Sequence, residues 1–392
     1  MSVFEQLQPF VSLCQACGLI PYTIERNSTT GKFERFTFSL RSAFTCWFCL
    51  VFAYQICGVS MVGYLSDDLQ NILVADRTIP TTLIVLTMIT SFLFLVQLLP
   101  FRWITMHYVR LSNAVEAVRN VERLLGEEFI TEHRSSIPIR FVVGFFAVLM
   151  TSIAAMVVAM PMYAVLLPPT LGIFPTTALF VALVSINITF NCFLLFIHMC
   201  YYITAYYIQL VLLRCKEQGN DELQVTAHER TDKIKMMKRN ALTFDYVCRA
   251  SSELNSVFAI PVFFILAIKF FTIVSTSFAF AYSFIHTNII LENTALVHSF
   301  FIVAESIRVL ILLTSADMPV RQVRLLHERV TAMSLSGFSK TIAEKMTMMT
   351  FLVQIDEDRV HLSAAGLFKI GVHLIPALSG AIVTYMVILL QN

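Results

Sequence analysis

Apolar residues gather into seven runs along the 392-residue chain, each long enough for the roughly 20 residues that cross a bilayer as a helix. They are Ser42–Tyr64, Ile79–Leu99, Phe141–Leu167, Pro175–Leu213, Phe258–Ile285, Thr294–Thr314 and Gly366–Gln391. The fourth is too long for a bilayer: at about 1.5 Å per residue it reaches roughly 60 Å, so it is expected to project beyond the membrane. The polar stretches between runs alternate between short and long. In the long ones, "NAVEAVRNVERLLGEEF", "PVRQVRLLHERVTAM" and "AEKMTMMTFLVQIDED" return apolar residues at helical spacing with charges between them. That pattern predicts helices packed against one another outside the membrane.

Composition supports this reading. Apolar residues make up 57% of the chain and charged residues 14%, and mean hydropathy is +0.73, which points to a polytopic membrane protein. A net charge of +2 gives no reason to expect nucleic acid. The placement of charge is more informative than its sum. Lys and Arg number 24 in the N-terminal segment and the long connections, and one, Arg77, in the short connections and tail. The positive-inside rule then places the N-terminus in the cytosol and the C-terminus outside. G-protein-coupled receptors have the opposite orientation, and their Asp-Arg-Tyr and Asn-Pro-x-x-Tyr signatures are missing. The Asn27-Ser28-Thr29 sequon falls on the cytosolic side and is expected to stay unglycosylated. No cleavable signal peptide is visible, so the first run is expected to act as its own signal.

Candidate chemistry is sparse. Nine cysteines include Cys14-x-x-Cys17 and Cys46-x-x-Cys49, which brought together would offer zinc four sulfurs. Cys46 and Cys49 open a membrane run, however, where thiolates are costly, so ordinary packing is expected and no metal or other cofactor is assigned. His198, His286 and His298 lie in or near runs without the spacing of a haem pair. Glu305 and Arg308, three apart in the sixth run, can pair with each other, and Lys269 lies in the fifth. Intramembrane charges suggest function. A secondary transporter using Glu305, Arg308 and Lys269 is therefore an alternative, although no internal repeat of the transporter kind is present. No phosphate loop, dinucleotide fingerprint, zinc-protease motif or nucleophile elbow appears, so no enzyme is expected.

The last run is the most specific. After Pro376, which is expected to loosen the helix, Ala377, Gly380, Ala381, Thr384, Ile388 and Gln391 recur every three or four residues on one small, weakly polar face. Leu378, Ile382, Met386 and Leu389 lie elsewhere. Such a face suits tight helix packing or the lining of a wet path.

The ending "TYMVILLQ" is Thr-Tyr, five apolar residues and Gln, and it resembles the terminal signature of arthropod-type gustatory receptors. Gln354, Ala365-Gly366-x-Phe368 and Gly380-Ala381 precede it in the same order, and "LQPFVSLCQACGLIPY" resembles that family's short cytosolic N-terminal helix ending in Gly-Leu-x-Pro. The likeness is sharp over the last 50 or so residues and topological elsewhere. It implies an all-α membrane protein of seven transmembrane helices, with a cytosolic helical bundle. The expected divisions are a cytosolic segment 1–41, six membrane helices with extensions over 42–314, a cytosolic helical segment 315–365 and a pore helix 366–392.

The resemblance also implies function. Such receptors are ligand-gated, non-selective cation channels of the plasma membrane, with the last helix of four subunits around one pore. The gate positions become Ile388, Gln391 and Asn392, with Thr384 on the same face. Asn392 departs from the bulky apolar residue usual there, so Ile388 is expected to carry more of the closure. Ligand is implied in the outer half of each subunit. Met156, Met160, Tyr163, Asn187, Ser275, Tyr282, His298 and Phe301 are the expected contacts. Met386 follows the motif tyrosine where sugar receptors commonly carry Glu, which favours bitter or other apolar tastants. The implied partners are a small organic ligand, monovalent and divalent cations, the lipid bilayer, and further copies or related receptors, as a homotetramer or hetero-oligomer.

Overall fold

The computed structural model describes residues 3–26, 33–75, 103, 106–133, 150, 173–220, 227–285, 289–335 and 341–391. The expected spans Ile79–Leu99 and Phe141–Leu167 lie outside them, Met150 apart. So do Met156, Met160, Tyr163, Asn392 and the Asn27 sequon.

The described chain is mostly helix. Helix α1 (Val3–Ala16) is followed by a two-stranded antiparallel hairpin, β1 (Thr23–Arg26) with β2 (Phe33–Thr37). Next come α2 (Ala43–Ala75), α3 (Tyr108–Leu125), α4 (Glu127–Glu132), α5 (Ile173–Asn220), α6 (Ala227–Ile285), α7 (Ile289–Leu335) and α8 (Ile342–Gln354). A small hairpin, β3 (Ser363–Ala364) with β4 (Phe368–Lys369), leads into α9 (Leu374–Gln391). Among the described residues, four helices are long and apolar enough to cross a membrane: parts of α5, α6 and α7, and all of α9.

The N-terminal Gly-Leu-x-Pro stretch has a mechanical explanation. Gly18 sits at φ +65° just past α1, where Cys17 N–H donates to the Leu13 carbonyl at 2.9 Å and Leu19 N–H to the Cys14 carbonyl at 2.8 Å. A Cβ at Gly18 would lie 2.9 Å from Val51 Cβ, so both backbone conformation and space demand glycine. The turn then sends Leu19, Ile20 and Tyr22 into the core. Trp47 Nε1 ties α2 to the end of α1 through the Ala16 carbonyl at 2.8 Å.

The long helices exceed their expected spans. α5 runs 48 residues, α6 59 and α7 47, so the connections around them are mostly helix rather than loop. α6 continues unbroken from its basic half because Met237, Phe244, Val247, Leu254 and Val257 keep one buried stripe in register with its apolar half. α7 likewise runs unbroken through residues 314 and 315. Where α2 crosses α5, Gly58 meets Ala182 so closely that a Cβ would lie 2.2 Å from Ala182 Cβ. Small residues let the two backbones approach.

Two cores result. One joins α1, the first hairpin, α5, α6, α7 and the second hairpin around Phe190, Phe193, Phe258 and Val262. The other joins α3, α5, α6, α7 and α8 around Val121, Tyr207, Phe244, Val323 and Phe351, so the stretches with apolar residues at helical spacing pack together. The stretch expected as one helix at "NAVEAVRNVERLLGEEF" breaks at Gly126, whose φ is +88°.

The last helix was expected from Gly366 and begins instead at Leu374. Ala365 and Gly366 both have positive φ, 51° and 76°, and form the hairpin turn closed by Leu367 N–H to the Ala364 carbonyl at 2.9 Å. Ala365 N–H donates to the Ala259 carbonyl of α6 at 3.1 Å. Asn255 of α6 donates to the His361 carbonyl at 2.5 Å. Arg324 of α7 grips both oxygens of Glu357 at 3.1 Å, and Arg359 reaches Asp245 of α6 at 2.6 Å. Lys369 is in β4 and pairs with Asp358. The hydrogen bonds of Arg324 and Lys369 hold the Glu357 and Asp358 carboxyls below their usual range. α9 therefore starts from a segment clamped to both α6 and α7.

Candidate functional site

α9 carries no charge, and none of its 18 residues is buried. Pro376 sits in its first turn, where the missing N–H has no helical partner to lose, so the expected loosening does not arise from it. One stripe leans on the protomer: Leu374, Ile375 and Leu378 pack against the first core, and Ile382, Met386 and Leu389 are half-buried. Tyr385 meets Phe270 of α6 edge-on at 5.9 Å between ring centroids. Ala377, Gly380, Thr384, Ile388 and Gln391 are exposed, and Ala381 is half-buried. A Cβ at Gly380 would meet open space. Thr384 Oγ1 donates to the Gly380 carbonyl at 2.8 Å, so its methyl and a second lone pair remain for whatever lies opposite.

The second site is a buried polar network among α5, α6 and α7. Glu305 Oε1 accepts from Arg308 Nη1 at 2.5 Å, and its Oε2 forms an ion pair with Lys269 Nζ at 2.9 Å. Arg308 also donates from Nε to Asn191 Oδ1 at 3.1 Å and from Nη2 to Asn187 Oδ1. Phe190 supplies a ring face to Lys269 Nζ at 4.0 Å and to Arg308 Cζ at 5.2 Å. All five polar residues are buried. Asn187, Phe190 and Asn191 share one face of α5, and Glu305 and Arg308 lie one turn apart on α7. The i, i+3 pair was readable from the sequence. The joining of Lys269 and the two amides was not, because it depends on three helices meeting.

The other expected ligand contacts are dispersed. Asn187 bonds Arg308. Ser275 is buried, and its hydroxyl donates to the Thr272 carbonyl of its own helix at 3.1 Å. His298 and Phe301 are half-buried on α7, and His298 Nδ1 has no hydrogen-bond partner among the described residues. The backbone of Tyr282 belongs to α6. Sequence reasoning missed a polar clamp between α2 and α5, in which Gln55 Nε2 donates to Ser185 at 3.1 Å and Thr189 at 3.0 Å. An uncharged Gln in a membrane run was its only signal.

The two Cys-x-x-Cys motifs do not meet as a zinc site would require. Cys17 lies beside Cys192 on α5, while Cys46 and Cys49 are exposed. Among the described residues, no group of three or more His, Cys, Asp or Glu can hold a metal ion.

Helices of 47 to 59 residues meet in two cores, and a final uncharged helix follows them. The sequence model of the 7tm chemosensory receptor family matches residues 7–391. The chain belongs to that family. That family is a class of chemosensory receptors rather than of enzymes. Its fold is similar to the insect olfactory receptor OR5 from Machilis hrabei, at TM-score 0.68 and 10% identity over 99% of this chain and 98% of that one. The same receptor in complex with eugenol matches at TM-score 0.60 and 10% identity over the same shares. At such identity the likeness concerns fold alone. No curated protein sequence matches the receptor.

Proposed function

We propose that this chemosensory receptor is a gustatory-type, ligand-gated, non-selective cation channel of the plasma membrane, opened by a small organic tastant. In this reading seven helices cross the membrane with the N-terminus in the cytosol, and α9 from four copies lines one pore. The domain divisions follow: a cytosolic leading segment, six membrane helices with extensions, a cytosolic helical segment and the pore helix. The observation that carries the proposal is α9 itself. An apolar helix leans on its protomer by one stripe and leaves its small, weakly polar face uncovered. Ile388 on that face can close a wet path by dewetting, and Gln391 can replace part of an ion's hydration without fixed charge. Monovalent and divalent cations would therefore both pass. Met386 after the motif tyrosine favours an apolar tastant over a sugar.

Lipid alone would also cover α9, so a second surface supports assembly. Ile342, Met346, Met349 and Val353 form one stripe on α8 and are 60–84% exposed, while Met348 and Phe351 on its other side enter the bundle core. α8 is too short to span a bilayer and is placed in the cytosol by the charge asymmetry, where lipid cannot reach. Further copies of this chain, or of related receptors, would cover that stripe. Converting Met346 and Met349 together to glutamate is expected to shift the purified receptor from tetramer toward monomer in light scattering, with its helical content kept. A tetramer unchanged by the pair removes α8 from the interface.

The direct test is expression in cells without other chemoreceptors, with bitter and apolar aromatic compounds applied under voltage clamp. Ligand-evoked cation currents are expected to reverse near zero potential. Surface-localised protein that instead gives saturable flux without unitary openings would favour transport.

A further inference from the structure

The last turn of α1 places Cys14 and Cys17 against α5. Cys17 Sγ lies 3.5 Å from Cys192 Sγ, across 175 positions of sequence, and Cys14 Sγ lies 3.8 Å from the Cys192 carbonyl oxygen. All nine cysteines are free thiols. Cys17 is half-buried and Cys192 is buried. Cys17 is thus the nearer of the two to the surface, and Cys192 is held in reach behind it. A disulfide needs about 2.0 Å between sulfurs, so the pair must close by about 1.5 Å. That movement is within reach of two side-chain rotations and a small shift at the end of a helix.

We propose that Cys17 and Cys192 are a reversible disulfide site, oxidised by hydrogen peroxide, that staples the N-terminal helix to α5. The Cys17 thiolate attacks one peroxide oxygen. The O–O bond breaks, Cys17 becomes a sulfenic acid, and hydroxide leaves to be protonated to water. Cys192 sulfur then attacks Cys17 sulfur, the S–O bond breaks, and the Cys192 proton leaves with the hydroxyl as a second water. Two thiols lose two electrons and one peroxide gains them. A dithiol reverses the reaction by exchange. A reducing cytosol keeps the pair open at rest, so the bond forms under oxidant and is then lost.

The staple lands where it has consequence. Cys192 adjoins Asn191, which accepts from Arg308, and Cys17 adjoins Gly18, which meets Val51 of α2. Oxidation therefore pins α1 to the segment of α5 that holds the buried charges. The proposal concerns the covalent state of the chain; it rests on the cytosolic N-terminus of the reading above and not on conduction.

The test uses the full-length receptor in nanodiscs, titrated with hydrogen peroxide and mapped by alkylation and peptide mass spectrometry. The expected result is loss of alkylation at Cys17 and Cys192 together, a crosslinked Cys17–Cys192 peptide, and full return of both thiols with dithiothreitol. In Cys192→Ser, Cys17 is expected to be trapped by a sulfenic-acid reagent, which wild type resists. In Cys17→Ser, Cys192 is expected to stay reduced at the same dose. Three outcomes overturn the proposal. One is that Cys17 and Cys192 remain alkylatable at doses that oxidise exposed Cys46, Cys49 and Cys57. Another is that Cys17 couples to Cys14 or any other cysteine. The third is that wild-type Cys17 passes to sulfinic acid without a disulfide. The wild-type map needs no variant, so a misfolded mutant does not protect the idea.

Discussion

Ile388→Ala is expected to give a receptor that conducts before ligand arrives. In the assembly proposed above, four Ile388 side chains ring the axis, and a narrow apolar ring holds a pore dry even where ions would physically fit. Alanine removes three heavy atoms per subunit, widens the ring and lowers the barrier to wetting. Ligand-free current should rise several-fold, and the ratio of evoked to resting current should fall. Gln391→Glu should act on selectivity rather than closure. It adds a ring of four negative charges near the outer end, so the reversal potential should shift toward that of calcium when calcium is the main external cation. Ile382→Ala is the control. Ile382 is half-buried on the stripe that leans on the protomer, so its loss should weaken packing and leave permeation alone. If Ile388→Ala and Gln391→Glu both conduct as wild type does, the exposed face of α9 does not line the path.

That face was legible because a helix writes its faces at a period of 3.6 residues, and nothing outside the helix is needed to read them. Ala377, Gly380, Thr384, Ile388 and Gln391 fell together in the sequence and are exposed together in the fold. The extensions of α5, α6 and α7 were legible for the same reason, although their continuity through the supposed loops was not. A change from lipid to water alters the composition of a helix without breaking it. What escaped was local structure without period. β1 and β2 are four and five residues long, and Thr23–Arg26 holds one apolar residue, too few to show an alternation. The second hairpin turns on Ala365, a residue whose sequence gives no hint of positive φ, and only the neighbouring Gly366 marked the place. Non-local chemistry escaped most completely. Lys269 to Glu305, and Cys17 to Cys192, are pairs that only packed helices can bring together.

Glu305→Gln is the substitution expected to remove the receptor rather than change its properties. Glu305 pairs with both Lys269 and Arg308, and all three are buried between α5, α6 and α7. Without it, two cations face each other inside the bundle, with the Asn187 and Asn191 amides and the Phe190 ring among the groups that still support them. Removing one partner of a buried pair costs about 3–5 kcal/mol, against a total of about 5–15 kcal/mol for a typical domain. Surface protein measured by biotinylation should therefore fall steeply, and the remainder should unfold at lower temperature. Lys269→Met in the same chain should recover part of the loss, because only Arg308 is then left without its carboxylate and both amides still serve it. Lys269→Met alone should be mild, since it leaves Glu305 and Arg308 as a neutral pair. A transporter that used Glu305 to couple ions gives the opposite pattern: Glu305→Gln would reach the surface in normal amount and lose coupled flux, and Lys269→Met would rescue nothing. Surface abundance thus separates a charge that holds three helices together from a charge that moves an ion, before any current is recorded.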